Sequence, residues 1–255
     1  MKNVLKIQEV EPSFTNRRKF LKISGLSLMG TGLVLAGCNN EDFMNFKNHV
    51  KSNYGNGHFP GVRNGVFDFG GNDFGVLTYA YALEQLEADF YTKVVNANGF
   101  TTNFTSEDQQ VLTDLYHHEV IHREFFKAAL TGALPNPKKQ LLPALAFDYG
   151  NLNFSSRTQV LATAKALEDT GVAAYNGAGR LISNPDYLLL AGKIVSVEAR
   201  HASAIRSLIN PNSNDFAGDD VVNTTTGLDV KKNPSEVLAI ADGFITTQFT
   251  ALYLP

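Results

Sequence analysis

Glu119-Val120-Ile121-His122 and Glu198-Ala199-Arg200-His201 repeat one pattern, a glutamate followed three residues later by a histidine. On an α-helix, three residues turn the chain through about 300° and raise it about 4.5 Å, so both side chains leave one face and can grip one cation. A further glutamate lies upstream of each pair, Glu84 before Glu119 and Glu168 before Glu198. In chain order the set is Glu, Glu-x-x-His, Glu, Glu-x-x-His, the arrangement by which a four-helix bundle holds two metal ions in its core.

The neighbours of these glutamates sharpen the point. At helical spacing Glu84 is flanked by Leu77, Ala80, Tyr81, Ala88 and Tyr91, and Glu119 by Leu112, Leu115, Tyr116 and Phe126. Glu168 has Leu161, Ala164, Val172 and Tyr175, and Glu198 has Ala191, Ile194, Val195, Ala202 and Ile205. Each carboxylate therefore sits on the apolar face of its helix. An unpaired carboxylate loses several kcal/mol on burial, roughly, even after relaxation, and four in one core repel one another and raise their pKa values. Two divalent cations would balance four carboxylates. The stretches "ALEQLEADFY" and "ALEDTGVAAY" add an internal repeat, with Tyr91 and Tyr175 each seven residues after Glu84 and Glu168. The repeat selects Glu84 as the ligand of the first helix and leaves Glu87 as an additional ligand or a supporting group. Tyr91 and Tyr175 read as core residues that hydrogen-bond the ligand carboxylates. His117 and His118 adjoin the second helix's motif but point elsewhere, and read as surface or supporting groups.

Four helices must position this set. The first is expected from about Asp73 to Asn98, capped by Asn72 or Asp73. The second follows Ser106, with Ser106 and Gln109 at capping-box spacing, and ends near Thr131 before Gly132. Residues 133–154 contain three prolines and read as a long connection. The third helix follows Ser155 or Ser156, with Ser156 and Gln159 repeating the box, and ends near Ser183. Asn184-Pro185 caps and starts the fourth, since proline suits the first helical position, and Asn210-Pro211 closes it. Asn233-Pro234 would start a fifth helix toward Leu252. Short links inside each pair and a long crossover between pairs give an all-α bundle of two helical hairpins.

The full chain has 255 residues, a formal net charge of −3 and a single cysteine. That charge is too small to suggest nucleic acid, and one cysteine allows no disulfide framework. Met1, Met29 and Met44 all precede the bundle, so no haem held by methionine is expected. Near the N-terminus, Asn16-Arg17-Arg18-Lys19-Phe20-Leu21-Lys22 resembles a twin-arginine export signal, and Leu35-Ala36-Gly37-Cys38 resembles a lipobox. The run between them is shorter than the ~20 apolar residues of a spanning helix and reads as a removed signal. The expected organisation is a signal over 1–38, a flexible Asn/Gly-rich tether over 39–71, the bundle over 72–211, and a loop with a C-terminal helix over 212–255.

From about residue 73 to 210 the chain resembles the ferritin-like domain family, in the branch that includes the desiccation-related proteins. "YALEQLEADFY", "HHEVIHREFF", "ALEDTGVAAY" and "VEARHASAIRSL" carry the resemblance. It implies a ferritin-like four-helix bundle, with Glu84, Glu119, His122, Glu168, Glu198 and His201 as ligands of two iron or manganese ions. The expected chemistry is redox work on peroxide or dioxygen, catalase-like or ferroxidase-like. The alternative is a non-enzymatic envelope protein or partner-binding bundle with structural or vestigial metal. The twin-arginine resemblance implies export after folding and cofactor insertion, and the lipobox implies a lipid anchor at Cys38, placing the protein in the periplasm or cell envelope.

Arg17→Lys with Arg18→Lys is predicted to leave full-length precursor in the cytoplasm, and Cys38→Ala to release a soluble form. Fractionation and immunoblotting check both, and normal export of the double lysine variant would refute the twin-arginine reading.

Overall fold

The computed structural model describes residues 58–255. Arg17, Arg18 and Cys38, with the export and lipidation readings placed on them, lie outside the described residues. The helices are α1 (Asp73–Val95), α2 (Phe100–Asn103), α3 (Ser106–Ala133), α4 (Pro137–Gln140), α5 (Arg157–Ala178), α6 (Pro185–Ile209) and α7 (Pro234–Ala241). The long helices pair α1 with α3 and α5 with α6. The expected two-hairpin, all-α bundle is the observed fold. None of the helices in the described residues is long and apolar enough to cross a membrane.

The helix ends show which local signals prevail. Asn72 Oδ1 accepts hydrogen bonds from the backbone N–H of Phe74 at 3.1 Å and Gly75 at 3.3 Å, satisfying donors that a helix start leaves unpaired. Asn184 Oδ1 accepts from Asp186 N–H at 2.8 Å with Pro185 beside it. Asn233 and Glu236 form a capping box at α7. The second box lies one residue earlier than expected: Thr105 and Asp108 form it, in place of Ser106 and Gln109. At α5, Ser156 occupies the cap position without a side-chain bond, and Gln159 Oε1 instead accepts from Asn153 N–H at 2.9 Å. Helix α3 also runs through Gly132 to Ala133, and α7 stops at Ala241, well short of Leu252.

Part of the expected tether is folded. Strands β1 (Gly61–Arg63) and β2 (Val66–Asp68) pair antiparallel across Asn64-Gly65, both with positive φ, the Asn-Gly hairpin turn that matches strand twist. The C-terminal strand β3 (Phe249–Thr250) adds parallel to β2. Asp68, wholly buried, accepts from Arg63, Gly70 N–H, Thr250 Oγ1 and Leu252 N–H, and so ties both ends of the described chain together. Three-residue strands are too short to show a hydrophobic period, which is why this sheet is silent in the sequence.

Helix α1 is buried on nearly every side. The crossover between hairpins covers it: Gln85 Oε1 accepts from Leu145 N–H at 2.9 Å, and Gln85 Nε2 donates to Pro143 O at 3.3 Å. Two buried aspartates clamp the hairpins at opposite ends. Asp73 accepts from the backbone N–H of Ser183 and Asn184, each at 2.8 Å. Asp108 accepts from Arg157 Nε at 2.7 Å and Nη2 at 2.8 Å, while Nη2 also donates to Leu208 O at 2.9 Å. One carboxylate thus caps α3 and holds the start of α5 and the end of α6. Asp108→Ala is predicted to lower stability by about 2–3 kcal/mol, from a lost cap and lost charge-assisted bonds. For a domain of this size that is a fall in Tm of about 5–10 °C, measured by thermal unfolding of the metal-supplied protein.

Candidate metal centre

Each long helix delivers one glutamate to the middle of the bundle. Glu84, Glu119, Glu168 and Glu198 are all 0% exposed. They form two overlapping groups with the histidines, Glu84/Glu119/His122/Glu198 and Glu119/Glu168/Glu198/His201, and in each the ligand atoms lie within 4.8 Å of one another. His122 Nδ1 is 2.8 Å from Glu198 Oε1, 3.4 Å from Glu84 Oε2 and 3.5 Å from Glu119 Oε2. His201 Nδ1 is 2.8 Å from Glu119 Oε1, 3.1 Å from Glu198 Oε2 and 3.5 Å from Glu168 Oε2. Glu119 and Glu198 turn one oxygen to each histidine, as carboxylates bridging two ions would.

The hydrogen bonding of this cluster tests whether it fits cations. Glu84 Oε2, both oxygens of Glu119, His122 Nδ1, Glu168 Oε2 and Glu198 Oε1 are buried and have no hydrogen-bond partner. They approach one another closely without the alignment a hydrogen bond needs. A buried polar atom left unsatisfied costs about 1–3 kcal/mol, and more when charged. Six of them converging are a donor set that divalent cations would satisfy, so the residues fit the group. The outer oxygens are already held: Tyr175 donates its hydroxyl proton to Glu84 Oε1, and Tyr91 donates to Glu168 Oε1 at 2.6 Å. Each hairpin's tyrosine braces the other hairpin's glutamate, which gives the shared seven-residue spacing a physical meaning. Burial, together with the glutamate charges, raises both phenols well above their usual range, so they remain protonated donors.

The buried charges of the cluster shift one another's titration. Burial and the Glu198 charge push Glu119 up to about 8, and burial raises Glu168 as well. Burial would also raise Glu198, but the close approach and charge of His122 and His201 hold it at about 2. Both imidazoles are raised far above their usual range. Burial opposes this, but the Glu84 charge and the close approach of Glu119 and Glu198 overcome it at His122, as Glu168 and Glu119 do at His201.

All six residues expected as ligands come together. Glu87 is buried but belongs to neither group. Its Oε1 stands 3.0 Å from where a Cβ on Gly171 would lie, and Gly171 is its counterpart in the repeat, so the missing side chain makes room for Glu87. Burial and the nearby glutamate charges, Glu119 first, raise its pKa well above the usual range. One partner is closer than the sequence suggested: His118 Nδ1 lies 2.9 Å from His201 Nε2. His117 contacts the Tyr116 ring instead.

Metal must displace protons from these ligands, so binding should release protons and tighten as pH rises toward about 8, where Glu119 titrates. The metal-free fold responds in the opposite sense. Glu119, raised above its unfolded value, contributes stability at low pH that is lost as pH climbs from about 4.5 to 8, and Glu168, also raised, acts in the same direction. Glu198, depressed, contributes stability above about 4.5 that disappears as pH falls toward 2. Calorimetric titration in buffers of different ionisation enthalpy counts the protons, and unfolding with and without metal should show the metal-induced shift growing from pH 6 to 8.

No curated protein matches the chain. A family model described as a ferritin-like domain matches residues 72–211, which spans α1 to α6 and every residue of the cluster. The chain belongs to the ferritin-like domain family.

Proposed function

We propose that this protein holds a dinuclear iron or manganese centre and uses it for redox chemistry on peroxide or dioxygen in the cell envelope. The observation that supports the reading best is the pair of overlapping donor groups sharing Glu119 and Glu198, with six buried atoms lacking hydrogen bonds. Four carboxylates and two imidazoles form a hard, oxygen-rich set suited to iron or manganese, and no thiolate is at hand. Bound as a pair, such ions supply two-electron chemistry to a small oxidant.

The chain's own residues do the rest. Glu119 and Glu198 would span the pair, Glu84 with His122 and Glu168 with His201 would close its two ends, and Tyr91 and Tyr175 fix the end carboxylates in place. The glutamates are closed off from water, and His122 has only 12% of its side chain exposed, so the centre suits a diatomic or peroxide-sized reactant. The same enclosure favours the second reading, a desiccation-related envelope bundle whose metal is structural. The twin-arginine and lipobox resemblances support export and a lipid anchor at Cys38 in either case.

Protein folded with metal supplied is predicted to carry about two iron or manganese ions per chain. Glu84→Ala or Glu168→Ala should leave about one, Glu119→Ala or Glu198→Ala should lose one or both, and Glu87→Ala should keep both. Elemental analysis reads this directly, and an absence of transition metal would refute the dimetal proposal. Peroxide consumption by the loaded protein, lost in Glu119→Ala, separates the redox reading from the structural one.

A further inference from the structure

The two halves of the centre match at Glu84 and Glu168, Tyr91 and Tyr175, Glu119 and Glu198, and His122 and His201. They do not match at the residue before each Glu-x-x-His. His118 stands before Glu119 and Val197 before Glu198. His118 reaches from α3 across to α6, with its Nδ1 2.9 Å from His201 Nε2 and the two ring planes within 12° of each other. Its outer side is exposed, whereas His201 is buried. Valine has no side-chain group that could do the same for His122, and no hydrogen bond to His122 Nε2 is found among the described residues.

This difference bears on how each imidazole can bind a cation. His201 turns Nδ1 to the three carboxylates, so the form able to ligate there carries its proton on Nε2. His118 Nδ1 accepts that N–H. The bond selects the tautomer, holds the ring plane and makes Nδ1 a better donor, the effects that outer partners have on ligand histidines. His122 must reach the same state without such a partner. We propose that His118 is a positioning residue that makes the His201 end of the centre the tighter one. The two metals then load in order, first at Glu119, Glu168, Glu198 and His201, then at Glu84, Glu119, Glu198 and His122. The inference rests on the dimetal reading and adds an inequivalence that the reading does not require.

The test is a competitive titration of the manganese-loaded full-length chain with a chelator of known Mn2+ affinity, which yields the dissociation constant of each ion. Wild type should release its ions in two steps whose constants differ by about tenfold or more. His118→Leu should weaken the tighter step by about 10–100-fold and leave the weaker one nearly unchanged. His118→Asn, whose Oδ1 stands in for the lost acceptor, should restore most of the difference. Circular dichroism and thermal unfolding of both variants verify the fold, which a half-exposed side chain should not disturb. Two equal steps in wild type, unchanged constants in His118→Leu, or equal loss in the Leu and Asn variants would overturn the inference while leaving a dimetal centre in place. Wild type that holds no manganese would overturn the dimetal reading, and this inference with it.

Discussion

Four fully buried glutamates meeting at one level of a helical bundle are the constraint to which the rest of this structure answers. Alone, such groups would drive the helices apart. The protein answers in three ways at once. Two imidazoles enter the cluster and are held cationic by it. The carboxyls divide their roles, with Glu119 pushed up to about 8 and Glu198 held at about 2 although both bridge the same two histidines. Tyr91 and Tyr175 bind the outer oxygens of Glu168 and Glu84. Six atoms of the cluster remain buried without a hydrogen bond. They form donor groups that could hold a metal ion in place of protons.

Such a centre works only if four helices keep their register. A slip of one residue rotates a side chain by about 100° about its helix axis and would carry a ligand out of the cluster. The clamps lie far from the ligands, at the bundle ends. Asp73 holds the turn between α5 and α6, and Asp108 joins the start of α3 to the start of α5 and the end of α6. Their hydrogen bonds cross from one hairpin to the other, where the helix packing itself is sparse. Helix α1 is further enclosed by the crossover through Gln85 and by the small sheet at the chain ends.

The centre is a duplicated half-site with two departures from duplication, on different seams of the bundle. Between α1 and α5, Glu87 faces Gly171, and α7 with the turn after it covers that side with Ile240, Ala241 and Phe244 around a small apolar cavity that Glu87 also lines. Between α3 and α6, His118 meets His201 and remains open to solvent on its outer side. One seam is closed by an added helix and the other carries the histidines, so the two ends of the centre have different surroundings.

Much of this was written in the sequence because helical geometry is local. The period of 3.6 residues places Glu84, Glu119, Glu168 and Glu198 on apolar faces, and Glu-x-x-His pairs a carboxylate with an imidazole without reference to anything distant. The Asn72, Asn184-Pro185 and Asn233-Pro234 starts are legible for the same reason. Where several polar residues compete for one helix start, the tertiary structure chose. Ser106 read as the cap of α3, but Thr105 takes that place, and Arg157, reaching from the other hairpin, favours the box containing Asp108. Gln159 was drawn to Asn153 by the path of the crossover. The three-residue strands and their C-terminal partner depend on residues more than 180 positions apart being brought together. His118 makes the division plainest. One residue before Glu119 it points about 100° away from the ligand face, so its own helix gives it no part in the centre. It acquires one only because α6 packs across α3 and carries His201 within hydrogen-bonding reach.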